Sequence, residues 1–173
     1  MMILVEKAFD FARKAHEGQK RKYTGAPYFD HPVEVAKIIK GVFHSEEMVA
    51  AALLHDVVED TPVTLDEIRT EFGENIAALV DWLSDPEGLV GNRAARKAQI
   101  RERWKNAPDD AKTIKLADTI SNSKTIVQFD RGFAKVYIPE IEALLPNLRG
   151  VCPTLYHEAE RQLRTAREEL GLK

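Results

Sequence analysis

Apolar residues recur at helical spacing from one end of the chain to the other, and no alternating run is long enough to predict a strand. Over residues 3–17, Leu4, Val5, Ala8, Phe9, Ala12 and Ala15 fall on one stripe, and Gly18 stops it, which predicts a first helix. Residues 20–30 hold Gly25 and Pro27 and read as a loop; His31-Pro32 then opens a second helix whose apolar face is Val35, Ile38, Ile39 and Val42. Ser45 is a candidate N-cap for a third. Its interior, residues 49–54, is almost wholly apolar, as expected of a helix at the centre of a bundle, and Thr61-Pro62 is placed to break it. Thr64, with Glu67 three residues on, forms a capping box for a fourth helix that ends at Gly73, and residues 74–84 continue as a fifth. After a loop at 86–91, residues 93–106 predict a basic, exposed helix. Pro108-Asp109-Asp110 starts another that runs to Phe129, and two more follow at 134–145 and 153–170. The expectation is an all-α fold, a single-domain helical bundle over residues 1–173.

A chain of 173 residues can bury a substantial core without disulfides or structural metals, so any ion it binds is expected to serve function. With 44% hydrophobic and 31% charged residues the composition is that of an ordinary globular protein, and no apolar run approaches the ~20 residues of a bilayer span. The first residues turn charged early and offer no small-residue cleavage site, which predicts a cytoplasmic protein without a secretory leader or membrane partner. Cys152, the one cysteine, is expected to be a buried, inert thiol. A net charge of −3 argues against sequence-independent nucleic-acid binding. Local basic clusters at residues 20–22 and 93–97 remain; each reads either as a solvated face or as a holder of a small phosphorylated ligand.

Polar chemistry arrives abruptly at the end of the apolar third helix, where His55, Asp56, Glu59 and Asp60 crowd together. Consecutive helical residues point about 100° apart, so His55 and Asp56 reach one ion only at a helix end or in a crevice. Burying both without a partner would be costly, and a metal resolves that cost. Glu59 and Asp60 each follow one of them by four residues, which suits either orienting groups or proton donors; the alternative is a solvated acidic helix end. On the helix through 111–129, Lys115, Asp118, Asn122 and Thr125 share one face. His16, His44 and His157 are expected to be structural or solvated, and Trp82 and Trp104 to be packing groups.

Four stretches carry a resemblance: AHEGQKRKYTGAPYFDHP at 15–32, AALLHDVVEDT at 51–61, FGENIAALV at 72–80 and KLADTISNSKT at 115–125. Together and in this order they resemble the HD-superfamily metal-dependent phosphohydrolases, and within them the hydrolase domain of the RelA/SpoT alarmone enzymes. The resemblance implies an HD-type bundle with His31, His55, Asp56 and Asp118 as ligands to one divalent ion, usually Mn2+, with Zn2+, Fe2+ or Co2+ as alternatives. It implies hydrolysis of ppGpp or pppGpp to GDP or GTP with loss of the 3′-pyrophosphate. It also implies Glu59 and Asp60 in the hydrolytic step, Arg21 and Lys22 beside the guanine base, Asn122 and Thr125 on the nucleotide, and a stand-alone small alarmone hydrolase. The loop after Lys22 is a residue longer than the common form, and Thr119 and Ser121 replace an Arg and a His usual in the last motif. Lys22, Arg93, Arg96 and Lys97 are candidates for the distal phosphates. Rival readings keep the metal but change the substrate (NADPH, a cyclic nucleotide or a nucleoside monophosphate), or make the chain a nucleotide-sensing module without activity.

Overall fold

A computed structural model describes residues 3–22 and 24–172; Met1, Met2, Tyr23 and Lys173 lie outside the described residues. The fold is all-helical, and the backbone divides into two compact units, Met1–Pro86 and Glu87–Lys173. Strand pairing among the described residues is limited to one isolated bridge, between Lys20 and Pro27.

The first unit contains α1 (Leu4–Ala15), α2 (Asp30–Lys40), α3 (Glu46–Leu54), α4 (Val57–Asp60), α5 (Leu65–Phe72) and α6 (Glu74–Leu83). At its centre is α3, whose residues from Met48 to Leu54 are all buried and which packs against α1, α2 and α6. A helix without a polar face has nowhere to go but inside, where each large aliphatic side chain contributes about 1.5–3 kcal/mol. Ser45 starts it, its Oγ accepting from the Met48 N–H at 3.1 Å. The capping box forms as the spacing predicts: Thr64 Oγ1 accepts from the Glu67 N–H, and Glu67 Oε2 accepts from the Thr64 N–H at 2.7 Å. Gly73, at φ +88°, turns α5 into α6 through a conformation that side chains disfavour.

The predicted third helix is interrupted. It stops at Leu54, His55 and Asp56 lie in a turn, and a separate short helix restarts at Val57. The Ala52 carbonyl, which a continuing helix would offer to the Asp56 N–H, accepts from His55 Nδ1 at 2.7 Å, so the imidazole competes for the helix ladder.

The second unit contains α7 (Arg93–Trp104), α8 (Asp109–Phe129), α9 (Arg131–Leu144), a short 3-10 turn (Leu145–Leu148) and α10 (Pro153–Leu170). Here α8 is the central element, packed against α9 and α10, with Ile114, Leu116 and Ala117 fully buried. The sequence predicts α9 to begin at 134, but it begins at Arg131: Asp130 Oδ1 accepts from the Phe133 N–H at 2.9 Å and caps a first turn that Gly132 disguises. Cys152 is half-buried rather than buried, because it occupies the N-cap position of α10, ahead of Pro153. No helix among the described residues is long and apolar enough to cross a membrane.

Candidate metal centre

The first unit brings His31, His55 and Asp56 together. His31 lies in the first turn of α2 and His55 immediately after α3; both are 2% exposed, so neither imidazole is hydrated in the ordinary way. Their Nε2 atoms converge on one oxygen, Asp56 Oδ2, at 3.6 Å from His31 and 3.2 Å from His55, with ring centroids 5.2 Å apart. The bond from His55 Nδ1 to the Ala52 carbonyl requires the proton on Nδ1, so the neutral ring presents the Nε2 lone pair toward the carboxylate. Two imidazole nitrogens and a carboxylate oxygen gathered in this way are a donor set that borderline divalent ions accept. The residues present fit a metal.

Tyr28 holds this carboxylate. Its hydroxyl donates to Asp56 Oδ2 at 2.7 Å, and burial, followed by the Asp56 and Asp60 carboxylates, pushes the phenol well above its ordinary pKa, so it remains a donor. The loop places it there: the Arg21 N–H donates to the Ala26 carbonyl at 2.8 Å and the Tyr28 N–H to the Gln19 carbonyl at 3.0 Å, which pins both arms around the Lys20–Pro27 bridge. Behind Tyr28 lies His16, 2% exposed, with ring centroids 4.9 Å apart. His16 Nδ1 meets Gln19 Oε1 at 2.8 Å, and Gln19 Nε2 donates to the Asp60 carbonyl at 2.6 Å. His16 is therefore structural, as expected, but it braces the loop and Asp60 instead of merely ending a helix. Tyr28 and Gln19 are not metal-ligand types, so the sequence signals this brace only through a tyrosine three residues before His31.

Glu59 and Asp60 part ways. The Asp60 N–H bonds to the Asp56 carbonyl at 2.9 Å, so the four-residue spacing holds for that pair and brings the Asp60 carboxylate within reach of Tyr28. Glu59, on the same short helix, turns to another neighbour: its Oε1 accepts from the Asp85 N–H at 2.9 Å. Arg21 is half-buried and Lys22 exposed on the loop.

In the second unit, Asp118 is 4% exposed on α8. Lys115 Nζ donates to its Oδ2 at 2.8 Å and Asn122 Nδ2 to its Oδ1 at 2.6 Å. These two bonds orient the carboxylate, and its oxygens are of the kind that a divalent ion accepts. Tyr137 of α9 neighbours the same group; burial and then the Asp118 charge raise its pKa. Thr125 Oγ1 reaches the Ser121 carbonyl at 3.4 Å. Arg93 is committed elsewhere: its guanidinium makes two bonds to Glu140, at 2.6 and 2.9 Å, and clamps α7 to α9. Arg96 donates to the Gly91 carbonyl at 3.0 Å.

The sequence matches the family described as HD domain over residues 8–139. A guanosine-3′,5′-bis(diphosphate) 3′-pyrophosphohydrolase of Haemophilus influenzae is 43% identical over 120 residues, 66% of this chain and 17% of that protein. The zebrafish (Danio rerio) relative, guanosine-3′,5′-bis(diphosphate) 3′-pyrophosphohydrolase MESH1, is 37% identical over 127 residues, 72% of this chain and 69% of that one. The chain thus spans about a sixth of the long bacterial relatives it matches and about two thirds of the short animal one. Among solved structures, a metazoan ortholog of SpoT described as hydrolysing ppGpp superposes with a TM-score of 0.85 at 27% identity, covering 95% of this chain and 96% of that one.

Proposed function

We propose, since the chain belongs to the HD domain family, that it is a metal-dependent hydrolase of guanosine alarmones, removing pyrophosphate from the 3′ position of ppGpp or pppGpp to leave GDP or GTP. The observation that carries the reading is the convergence of two buried imidazole Nε2 atoms on Asp56 Oδ2. His31, His55 and Asp56, with Asp118 of the second unit, would hold one divalent ion, for which Mn2+ is our choice. The family match, over residues 8–139, runs through both units, which supports reading residues 1–173 as one catalytic domain; we place it in the cytoplasm. A divalent ion supplies Lewis acidity toward phosphoryl oxygens and lowers the pKa of water.

The chain's own residues do the rest. Tyr28 fixes Asp56, and Lys115 and Asn122 fix Asp118, so the donors need little reorganisation. Hydrolysis must take one proton from water and deliver one to the departing group; Asp60, beside Tyr28, is the nearer candidate for that exchange, with Glu59 second. Arg21 and Lys22, on the braced loop, and Asn122 and Thr125, on α8, are the proposed contacts to base and nucleotide. The Arg93–Glu140 clamp leaves the distal phosphates to Lys22 in preference to Arg93. The test is incubation of metal-reconstituted protein with ppGpp, NADPH, cyclic nucleotides and nucleoside monophosphates, with products identified. Turnover of ppGpp above the others is expected; preference for NADPH or a cyclic nucleotide would keep the metal site and overturn the substrate.

A further inference from the structure

Gln19 has no charge and no place in the proposed ligand set, yet it ties together the parts of the first unit that carry the chemistry. Its N–H donates to the His16 carbonyl at the end of α1, and its carbonyl accepts from the Tyr28 N–H across the loop, both at 3.0 Å. Its side chain is used twice: Oε1 lies 2.8 Å from His16 Nδ1, and Nε2 donates to the Asp60 carbonyl, 41 residues on, at 2.6 Å. One residue thus joins α1, the loop that carries Arg21 and Lys22, and the short helix that carries Glu59 and Asp60.

The amide has a single competent orientation. A main-chain carbonyl only accepts, so Gln19 turns its NH2 toward Asp60 and its oxygen toward His16, whose ring proton then sits on Nδ1. His16 is 2% exposed and its Nε2 finds no hydrogen-bond partner among the described residues, so no competing bond draws the ring away from the amide. The need for a tether lies in α4. It is a single turn, Val57–Asp60, too short to hold its own shape. Beyond it the chain is extended at Thr61, ahead of Pro62, so the helix ladder supplies no donor for the Asp60 carbonyl, and Gln19 supplies one. Misplacing a catalytic group by about 1 Å costs on the order of 10²-fold in rate, so a carboxylate at the end of a one-turn helix depends on what pins that turn.

We propose that Gln19 is a positioning residue for the hydrolytic step: it fixes where the Asp60 carboxylate stands through the main chain of that same residue, and His16 locks the amide that does so. The proposal rests on the hydrolytic reading with Asp60 in proton exchange. Because Gln19 acts through Asp60, its effect belongs in kcat and not in KM or in affinity for the ion. The test is a double-mutant cycle on the full, metal-loaded chain, run with ppGpp and the other nucleotides of the panel. Gln19→Met keeps the side chain's length and removes both of its bonds; it should lower kcat about tenfold, the scale of one hydrogen bond, with KM and ion affinity within about twofold of wild type. In an Asp60→Asn background the same substitution should cost less than about twofold, since the group it positions has already gone. Exchange of the Asp60 and Thr61 amide hydrogens should quicken in Gln19→Met. Gln19→Glu, which keeps the acceptor for His16 and loses the donor for Asp60, is the second variant if Gln19→Met loses helicity, and should show the same pattern. An undiminished loss in the Asp60→Asn background, or kcat and amide exchange both unchanged, would overturn the proposal while wild-type turnover upholds the hydrolytic reading. A wild type that hydrolyses another nucleotide but not ppGpp would overturn the alarmone substrate alone, with the same cycle expected on that nucleotide; one inert toward the whole panel would overturn the hydrolytic reading and the proposal with it.

Discussion

Replacing Tyr28 with Phe removes the hydroxyl that donates to Asp56 and neighbours Asp60, and keeps the ring that packs on His16, so metal affinity reads its effect on Asp56. That bond is short, 2.7 Å, and its acceptor is an ionised carboxylate, which puts its contribution in the range of about 1.5–3 kcal/mol. At about 1.4 kcal/mol per decade this corresponds to roughly tenfold to 150-fold in the affinity of an ion held by Asp56. Loss of a hydrogen bond to a metal ligand ordinarily costs about 10–100-fold, a comparable span. The Asp56 side chain is 15% exposed, enough for a water to replace the hydroxyl in part, so the lower end of that range is expected. Competition against a chromophoric chelator measures the affinity directly. We expect Tyr28→Phe to bind the ion about tenfold more weakly, with unchanged helicity and with turnover recovered at saturating metal. An affinity equal to wild type would refute the assignment of Tyr28 as the group that orients Asp56; turnover that stays low at full occupancy would place Tyr28 on the substrate instead.

Four further outcomes follow from the same contacts. Asp118→Ala should lose both stoichiometric metal, by elemental analysis, and activity; a variant that keeps its metal removes Asp118 from the ligand set. Asp60→Asn should lower kcat by about 10²-fold with metal content intact, and Glu59→Gln by less, because Glu59 is held by the Asp85 N–H; equal losses in steady-state assays would contradict the division of roles. Arg21→Ala should raise KM for the alarmone more than it lowers kcat, and unchanged kinetics would free Arg21 from base recognition. The Thr64 N–H and hydroxyl hold the Glu67 carboxyl below its ordinary value of 4.5, so the stability it contributes is present above that pH and fades as pH falls through the lower folded value. The gap in melting temperature between wild type and Glu67→Gln should therefore shrink in acid; a constant gap would contradict the cap.

The helices were legible where local rules act alone. Ser45, Thr64 and Gly73 announce their caps, and the apolar run through Leu54 announces burial, because each needs only neighbours in sequence. The interruption at His55 was not legible, since it depends on an imidazole turning back to the Ala52 carbonyl, and neither was the Asp85 N–H, 26 residues on, as a partner of Glu59. Ligand types stand out in a sequence, but the groups that hold them do not. Tyr28 and Gln19 look like ordinary loop residues until the Lys20–Pro27 bridge folds the loop back on itself. Arg93 looked like a phosphate holder because its charge was visible and Glu140, 47 residues away, was not visibly its partner.

On the proposed function, this chain with a divalent ion releases pyrophosphate as one piece from the 3′ position of a guanosine alarmone. Phosphorus NMR of ppGpp incubated with Mn2+-loaded protein, quenched with chelator before the spectrum is taken, reads that event directly. Stoichiometric pyrophosphate and GDP are expected, and neither product from chelator-stripped protein or from Asp118→Ala. Inorganic phosphate in place of pyrophosphate, or equal turnover without metal, would contradict it.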